Sequence, residues 1–238
     1  TRLASLVPGK KVSFRNYEKL RGSAEHCLRV YPQATAFISG LCADTRKAGK
    51  QFYGGTATRD TPTTTPSART LREAHFWKQF CQSIPRTAAS FLRSADPEQA
   101  IALADSVWHV DWGPPSIKEG REQHHLALFC LSTGHWTMLP VPKHLVTRAM
   151  RTKTYSTQDL EALCLPLLLE TFPHLVRDTN VLVFTDNSAF ETAYNKPSEP
   201  TSSFLGDILT VTARQQLSLN FHITLLHVSS KQNLADDI

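Results

Sequence analysis

Val181-Leu-Val-Phe-Thr185 runs straight into Asp186-Asn-Ser-Ala189. The near-continuous apolar run predicts a strand buried on both faces. Ser188 to Asn195 predicts a short helix, ended by Lys196-Pro197. An acid between a buried strand and a helix lies at the carboxyl end of that strand. In open α/β sheets that is where ligands gather.

Working outward from this strand, AIALADSVWHV, from about residue 99, reads as an apolar strand. HHLALFCL (124–131) and HWTMLPV (135–141) read as two more, joined by a tight turn at Ser132-Thr-Gly134. Ser156-Thr-Gln-Asp159 resembles a capping box and opens a helix through LEALCLPLLLETF, which Pro166 is expected to kink. Downstream, 203–217 predicts a helix and Phe221 to His227 a last strand. The order β-β-β-α-β-α-α-β predicts an α/β fold: a mixed five-stranded sheet with flanking helices.

A small, mainly helical region (1–98) precedes it. Ser13 is a candidate N-cap, and Tyr17, Leu20, Ala24, Cys27 and Leu28 recur at helical spacing. A short helix is expected over Gln33 to Cys42, and an amphipathic one over Leu71 to Gln82. Residues 46–70 are rich in Thr, Gly, Pro and basic side chains and read as a linker.

The 238 residues carry a net charge of +5, compatible with a polyanionic partner. The five cysteines are odd in number, scattered and without C-x-x-C spacing, which argues against a zinc site or a disulfide framework. Reduced thiols fit a cytoplasmic or nuclear location. No apolar run reaches the ~18 residues of a membrane span, so no membrane partner is expected. The missing initiator Met and the abrupt end at Ile238 suggest a fragment of something longer.

Four acids fall at suggestive places: Asp105 in the first strand, Glu161 in the first turns of the long helix, Asp186 after the fourth strand and Asp236 after the fifth. An acid in an apolar strand is costly unless paired or bound to metal. Oxygen-only ligands suit Mg2+, with Mn2+ as its substitute. Two such ions could stabilise the attacking water and the leaving oxygen of a phosphodiester. Asp105 is preferred as the first acid, with Asp111 its competitor. The alternatives for the others are a cap for the next helix (Asp186), a favourable charge near a helix N-terminus (Glu161), and a polar surface turn (Asp236 with Asp237).

This arrangement resembles the ribonuclease H pattern of an Asp, a helix Glu and two further Asp. Thr185-Asp-Asn-Ser-Ala189, then His227-Val-Ser-Ser-Lys-Gln-Asn-Leu-Ala-Asp236, resembles retroelement ribonuclease H segments reading "TDN-S/T-A … H-x-x-G-x-x-N-x-x-A-D". Asp105-Ser and Asp111-Trp-Gly113 resemble a stretched "DAS…GWG". Tyr155 to Glu161 is similar to the segment carrying the helix glutamate. The nearest likeness is to DIRS-like, tyrosine-recombinase and VIPER-type retrotransposons. Val12-Ser-Phe-Arg, Leu20-Arg-Gly22 and Val30-Tyr-Pro32 resemble the thumb/connection after a polymerase palm.

The resemblance implies cleavage of the RNA strand of RNA–DNA hybrids, with two Mg2+ held by Asp105, Glu161, Asp186 and Asp236. His227 would assist proton transfer or product release. Asn187 and Ser188 would touch the hybrid backbone, and 2′-hydroxyls in the minor groove would mark the RNA strand. The polymerase palm of a parent polypeptide is the implied protein partner. The chain departs from the pattern at Ser229-Ser230, where glycine is expected, and its loop from Asn233 to Asp236 is a residue shorter than in many relatives. It also ends two residues after Asp236, so the ribonuclease-like domain (99–238) is expected to be truncated at its last helix. No "YxDD" motif occurs, so polymerisation by this chain alone is not expected.

Among basic residues, Lys143, His144, Arg148, Arg151 and Lys153 cluster before the long helix, and Arg46, Lys47, Lys50 and Arg59 in the linker. Lys143, Arg148 and Arg151 are the candidate phosphate contacts. Trp108, Trp112 and Trp136 read as packing residues. The rival to an enzyme is a non-catalytic connection domain holding template–primer; the complete acidic set favours the enzyme. Asp105 is followed by Ser106-Val107, not the Asp-x-Glu pair of a 3′–5′ exonuclease. Glu161 precedes Asp186, unlike the late glutamate of a DDE transposase.

Overall fold

Burial of apolar faces organises the chain into two compact units, Thr1–Ser90 with Pro197–Glu199 and Phe91–Lys196 with Pro200–Ile238. The structure, a computed structural model, describes residues 6–28, 32–83, 97–116, 123–151, 156–195 and 202–236. Of the sequence features above, Val30, Tyr31, Lys153, Tyr155, Lys196, Pro197, Asp237, Ile238 and the Ser156 side chain lie outside the described residues.

In the first unit, strand β1 (Val12–Ser13) leads into helix α1 (Phe14–Leu28). The Asn16 N–H donates to Ser13 Oγ at 3.4 Å, so Ser13 does occupy the cap. Phe14, Tyr17, Leu20 and Ala24 form the buried face. The expected helix over 33–42 is instead a 3-10 turn, Pro32–Phe37, followed by α2 (Ser39–Tyr53). Residues 46–53 are therefore helix rather than linker. The reason is packing: Ala48 and Gly49 are buried, and a Cβ on Gly49 would meet the Phe14 ring at 3.2 Å. A short strand β2 (Pro62–Thr64) pairs antiparallel with β1. Helix α3 (Ala68–Ser83) supplies Glu73, whose carboxylate accepts from the N–H groups of Gly40 (2.8 Å) and Leu41 (3.0 Å) and the Ser39 hydroxyl (3.0 Å). A buried anion there satisfies the free amides at the start of α2.

The second unit opens with α4 (Pro97–Ala102), which takes residues expected to begin a strand. Pro97 and Glu98 are favourable at a helix start, and Ile101 lies exposed. Strand β3 (Ser106–Gly113) begins only after this helix. Strands β4 (His125–Cys130) and β5 (Trp136–Pro140) follow, with Gly134 at φ 73° in the turn between them. The basic segment forms α5 (Lys143–Met150). The long helix is split into α6 (Ser156–Glu161), α7 (Cys164–Thr171) and α8 (Pro173–Val176). Pro166 has no N–H for the Ala162 carbonyl, so the helix breaks and restarts ahead of it. Strand β6 (Asn180–Thr185), α9 (Ser188–Asn195), α10 (Ser203–Leu219) and β7 (His222–His227) complete the order.

These strands form one five-stranded sheet in the order β5-β4-β3-β6-β7. β3, β4 and β5 make an antiparallel meander; β3–β6 and β6–β7 are parallel. This is the mixed α/β sheet that the order of elements predicts. The register pairs His109 with Phe184, and two further steps bring Asp111 level with Asp186. Trp108 is fully buried on the central strand. Its indole N–H donates to Ser106 Oγ at 3.1 Å, and its ring centroid lies 5.1 Å from that of Phe172. Trp108→Ala is expected to cost about 3–5 kcal/mol of stability, measured by chemical denaturation.

Candidate metal centre

Three carboxylates meet at the carboxyl end of the parallel strands. Asp111 comes from β3, Glu161 from the last position of α6, and Asp186 from the residue after β6. One oxygen from each lies within 4.8 Å of the others. Asp236 reaches the group through a side-chain hydrogen bond with Asp111. Of the four acids the sequence reading names, Glu161, Asp186 and Asp236 lie together here.

Asp105 does not. It sits just before β3 and is exposed. Its backbone N–H donates to the Asn180 carbonyl (2.8 Å), and its carboxylate accepts from the Asn180 N–H (2.7 Å). It ties the amino ends of β3 and β6 together, roughly 20 Å of extended strand from Asp111. The first acid of the cluster is Asp111. The shift follows from α4, which absorbs the apolar residues ahead of Asp105 and moves the strand along the sequence.

The surrounding residues fix each acid. Thr185 is fully buried, and its hydroxyl donates to Glu161 Oε1 while accepting from the Asn187 N–H at 3.1 Å. Cys164 Sγ donates to the Asp111 carbonyl at 3.2 Å, tying the start of α7 to β3. Asn233, buried, donates through Nδ2 to the Val110 carbonyl at 3.0 Å, and the Leu234 N–H donates to His109 Nδ1 at 3.3 Å. These bonds hold the C-terminal segment, and Asp236 with it, against β3. Thr185, Asn233 and His109 were not singled out by sequence reasoning. The signals were motif likeness alone: Thr185 stands in the "TDN" segment, and Asn233 matches the Asn of "N-x-x-A-D" with one residue fewer before Asp236.

Burial pushes the Asp111 carboxyl up to about 7, helped by its hydrogen bond and charge repulsion with Asp236 and by Asp186. Burial likewise pushes Glu161 up to about 8; Thr185 and Asn187 donate to it and oppose the rise, while Asp186 and Asp111 add to it. Crowded carboxylates that resist ionisation are suited to a divalent cation, which neutralises their repulsion. The donors are all oxygen, so the set fits Mg2+ or Mn2+.

Against this geometry, no protein-family model and no curated protein matches the chain. Solved structures similar to it include the two that follow. LC11-RNase H1 in complex with an RNA/DNA hybrid aligns over 56% of this chain and 92% of its own, at 12% identity and a TM-score of 0.40. The foamy viral protease-reverse transcriptase in complex with an RNA/DNA hybrid aligns over 72% of this chain and 25% of its own, at 12% identity and a TM-score of 0.38.

The remaining candidate residues fall around the cluster or elsewhere. His227, at the end of β7, places Nε2 3.1 Å from the Asp186 carbonyl, a contact in which that nitrogen donates. Asn187 is the cap of α9: its Oδ1 accepts from the Phe190 N–H at 3.0 Å, and it also donates to Glu161. Ser188 is exposed at the first position of α9. Lys143 and Arg151 are exposed at the two ends of α5. Arg148 is committed to α10, forming an ion pair with Asp207 and lying 4.7 Å from the Phe204 ring centroid. The Asp159 carboxylate accepts from Ser202 Oγ at 2.6 Å, the cap of α10.

Proton competition gives a direct prediction. Metal binding requires ionised Asp111 and Glu161, so Mg2+ affinity is expected to fall about 10-fold or more from pH 8 to pH 6. Titration calorimetry at the two pH values checks it; equal affinity contradicts the assignment of these two acids.

Proposed function

We propose that this chain hydrolyses the RNA strand of RNA–DNA hybrids, as part of a retroelement reverse transcriptase of the DIRS-like or VIPER-type kind. The observation that carries the reading is the clustering of Asp111, Glu161 and Asp186 at the carboxyl ends of parallel strands, with Asp236 beside them. These residues would hold Mg2+, which supplies charge neutralisation at the scissile phosphate and an activated water. Thr185 holds the Glu161 carboxylate in place. His227 stands at the rim with its Nε2–H given to the Asp186 carbonyl; in the imidazolium form its Nδ1–H would be the second donor, toward a phosphate oxygen or a departing product. Lys143 and Arg151 offer exposed charge for the hybrid backbone, while Arg148 serves to pin α5 to α10. The polymerase palm of a parent polypeptide is the proposed protein partner, and the cytosol or nucleus the proposed compartment. Among the described residues, no helix is long and apolar enough to cross a membrane.

The test is cleavage of a labelled RNA–DNA hybrid with Mg2+ or Mn2+, beside duplex DNA of the same sequence. RNA cut only in the hybrid, and lost in Asp186→Asn, supports the reading. Metal-independent binding of the hybrid without cutting supports a non-catalytic connection domain instead.

A further inference from the structure

The loop after β7 carries Ser230 where the resembling segments carry glycine, and its hydroxyl donates to Asp186 Oδ2 at 2.6 Å. The loop is fixed independently of that bond. The Val228 N–H donates to the Thr185 carbonyl at 2.9 Å, and His227 Nε2 meets the Asp186 carbonyl at 3.1 Å. A 3-10 turn over Ser230–Gln232 follows, closed by Gln232 N–H to the Ser229 carbonyl (2.8 Å) and Asn233 N–H to the Ser230 carbonyl (3.1 Å). Asn233 is anchored in turn to the Val110 carbonyl on β3. Ser230 is therefore presented to Asp186 from a backbone held at both ends.

We propose that Ser230 is a positioning residue that sets the orientation of the Asp186 carboxylate for a divalent cation, an inference that rests on the metal-site reading above. The hydroxyl engages Oδ2, and a carboxylate oxygen of Asp186 lies within 4.8 Å of those of Asp111 and Glu161. A carboxylate held this way does not have to be ordered when the cation binds. Groups that orient metal-binding carboxylates typically contribute about 10–100-fold to affinity. Glycine at this position offers no such donor. Ser230 is exposed and takes no part in a core, so its hydroxyl can be removed without a cavity.

The experiment is calorimetric titration of Mg2+ into the metal-free full chain, for wild type, Ser230→Ala, Ser230→Gly and Ser230→Thr. Ser230→Ala and Ser230→Gly are expected to bind about 10-fold more weakly, and Ser230→Thr within about 2-fold of wild type. The melting temperatures of the metal-free proteins should agree, since rescue by the threonine hydroxyl is not what a merely structural role gives. Wild-type affinity in Ser230→Ala, or equal loss in Ser230→Thr, overturns this proposal and leaves the metal site standing. A wild-type chain that binds no Mg2+ overturns both.

Discussion

Asp111→Asn is expected to lower hybrid cleavage by about three orders of magnitude, whereas Asp105→Asn leaves it within about 2-fold. The first removes one carboxylate from a cluster whose oxygens lie within 4.8 Å. A loss of that size corresponds to about 4 kcal/mol of transition-state stabilisation. Asn keeps the shape of the side chain, so the fold is expected to survive. Asp105 caps the start of β6 through the Asn180 N–H and lies at the other end of the strand. Its replacement is expected to cost about 1 kcal/mol of stability and no chemistry. Single-turnover cleavage of a labelled hybrid separates the two variants. The reverse ranking would return the first-acid role to Asp105.

The second large effect is on stability. Glu161→Gln is expected to stabilise the metal-free protein at pH 8 by about 2–4 kcal/mol while removing metal binding. Glu161 is buried, and its carboxyl is pushed up to about 8 in the folded chain. An unfolded glutamate titrates near ~4.3. Between those values the folded state holds a proton that the unfolded state has released. Stability contributed by this group is therefore complete below about pH 4 and declines as pH rises to about 8. Gln carries no such penalty, and its carbonyl can still accept from Thr185. Urea unfolding at pH 5 and pH 8 without metal checks the sign. The gap between variant and wild type should widen with pH, and adding Mg2+ should narrow it by stabilising the wild type alone.

The sheet was legible because its strands announce themselves. VLVFT has the run of a doubly buried strand, and the 132–134 turn carries the glycine its geometry requires. The same pattern puts Asp186 and Glu161 at the boundaries of strongly patterned elements, and the structure brings the two together. Asp105 lies apart from them, at a place where patterning fails. Ala100-Ile-Ala-Leu suits a helix as well as a strand by apolarity alone, and Trp108, His109 and Val110 are all buried, so no alternation marks the inward face. Asp111 was visible as a competitor but not ranked first. Residues 46–53 were hidden for a related reason: their helix exists because Gly49 admits the Phe14 ring, a tertiary contact that propensity does not show. Ser230 and Asn233 act through partners more than 40 residues away, Asp186 and Val110. Spacing along the chain carries no trace of such bonds; motif likeness alone marks Asn233.

Manganese binding followed by electron paramagnetic resonance puts the acidic cluster to the sharpest test. The wild-type chain is expected to take up Mn2+ at pH 8, with the free-ion signal quenched, and Asp111→Asn to bind about 10-fold more weakly or worse. Mn2+ uptake unchanged in Asp111→Asn, or none by the wild type, would contradict a metal centre built on Asp111, Glu161 and Asp186.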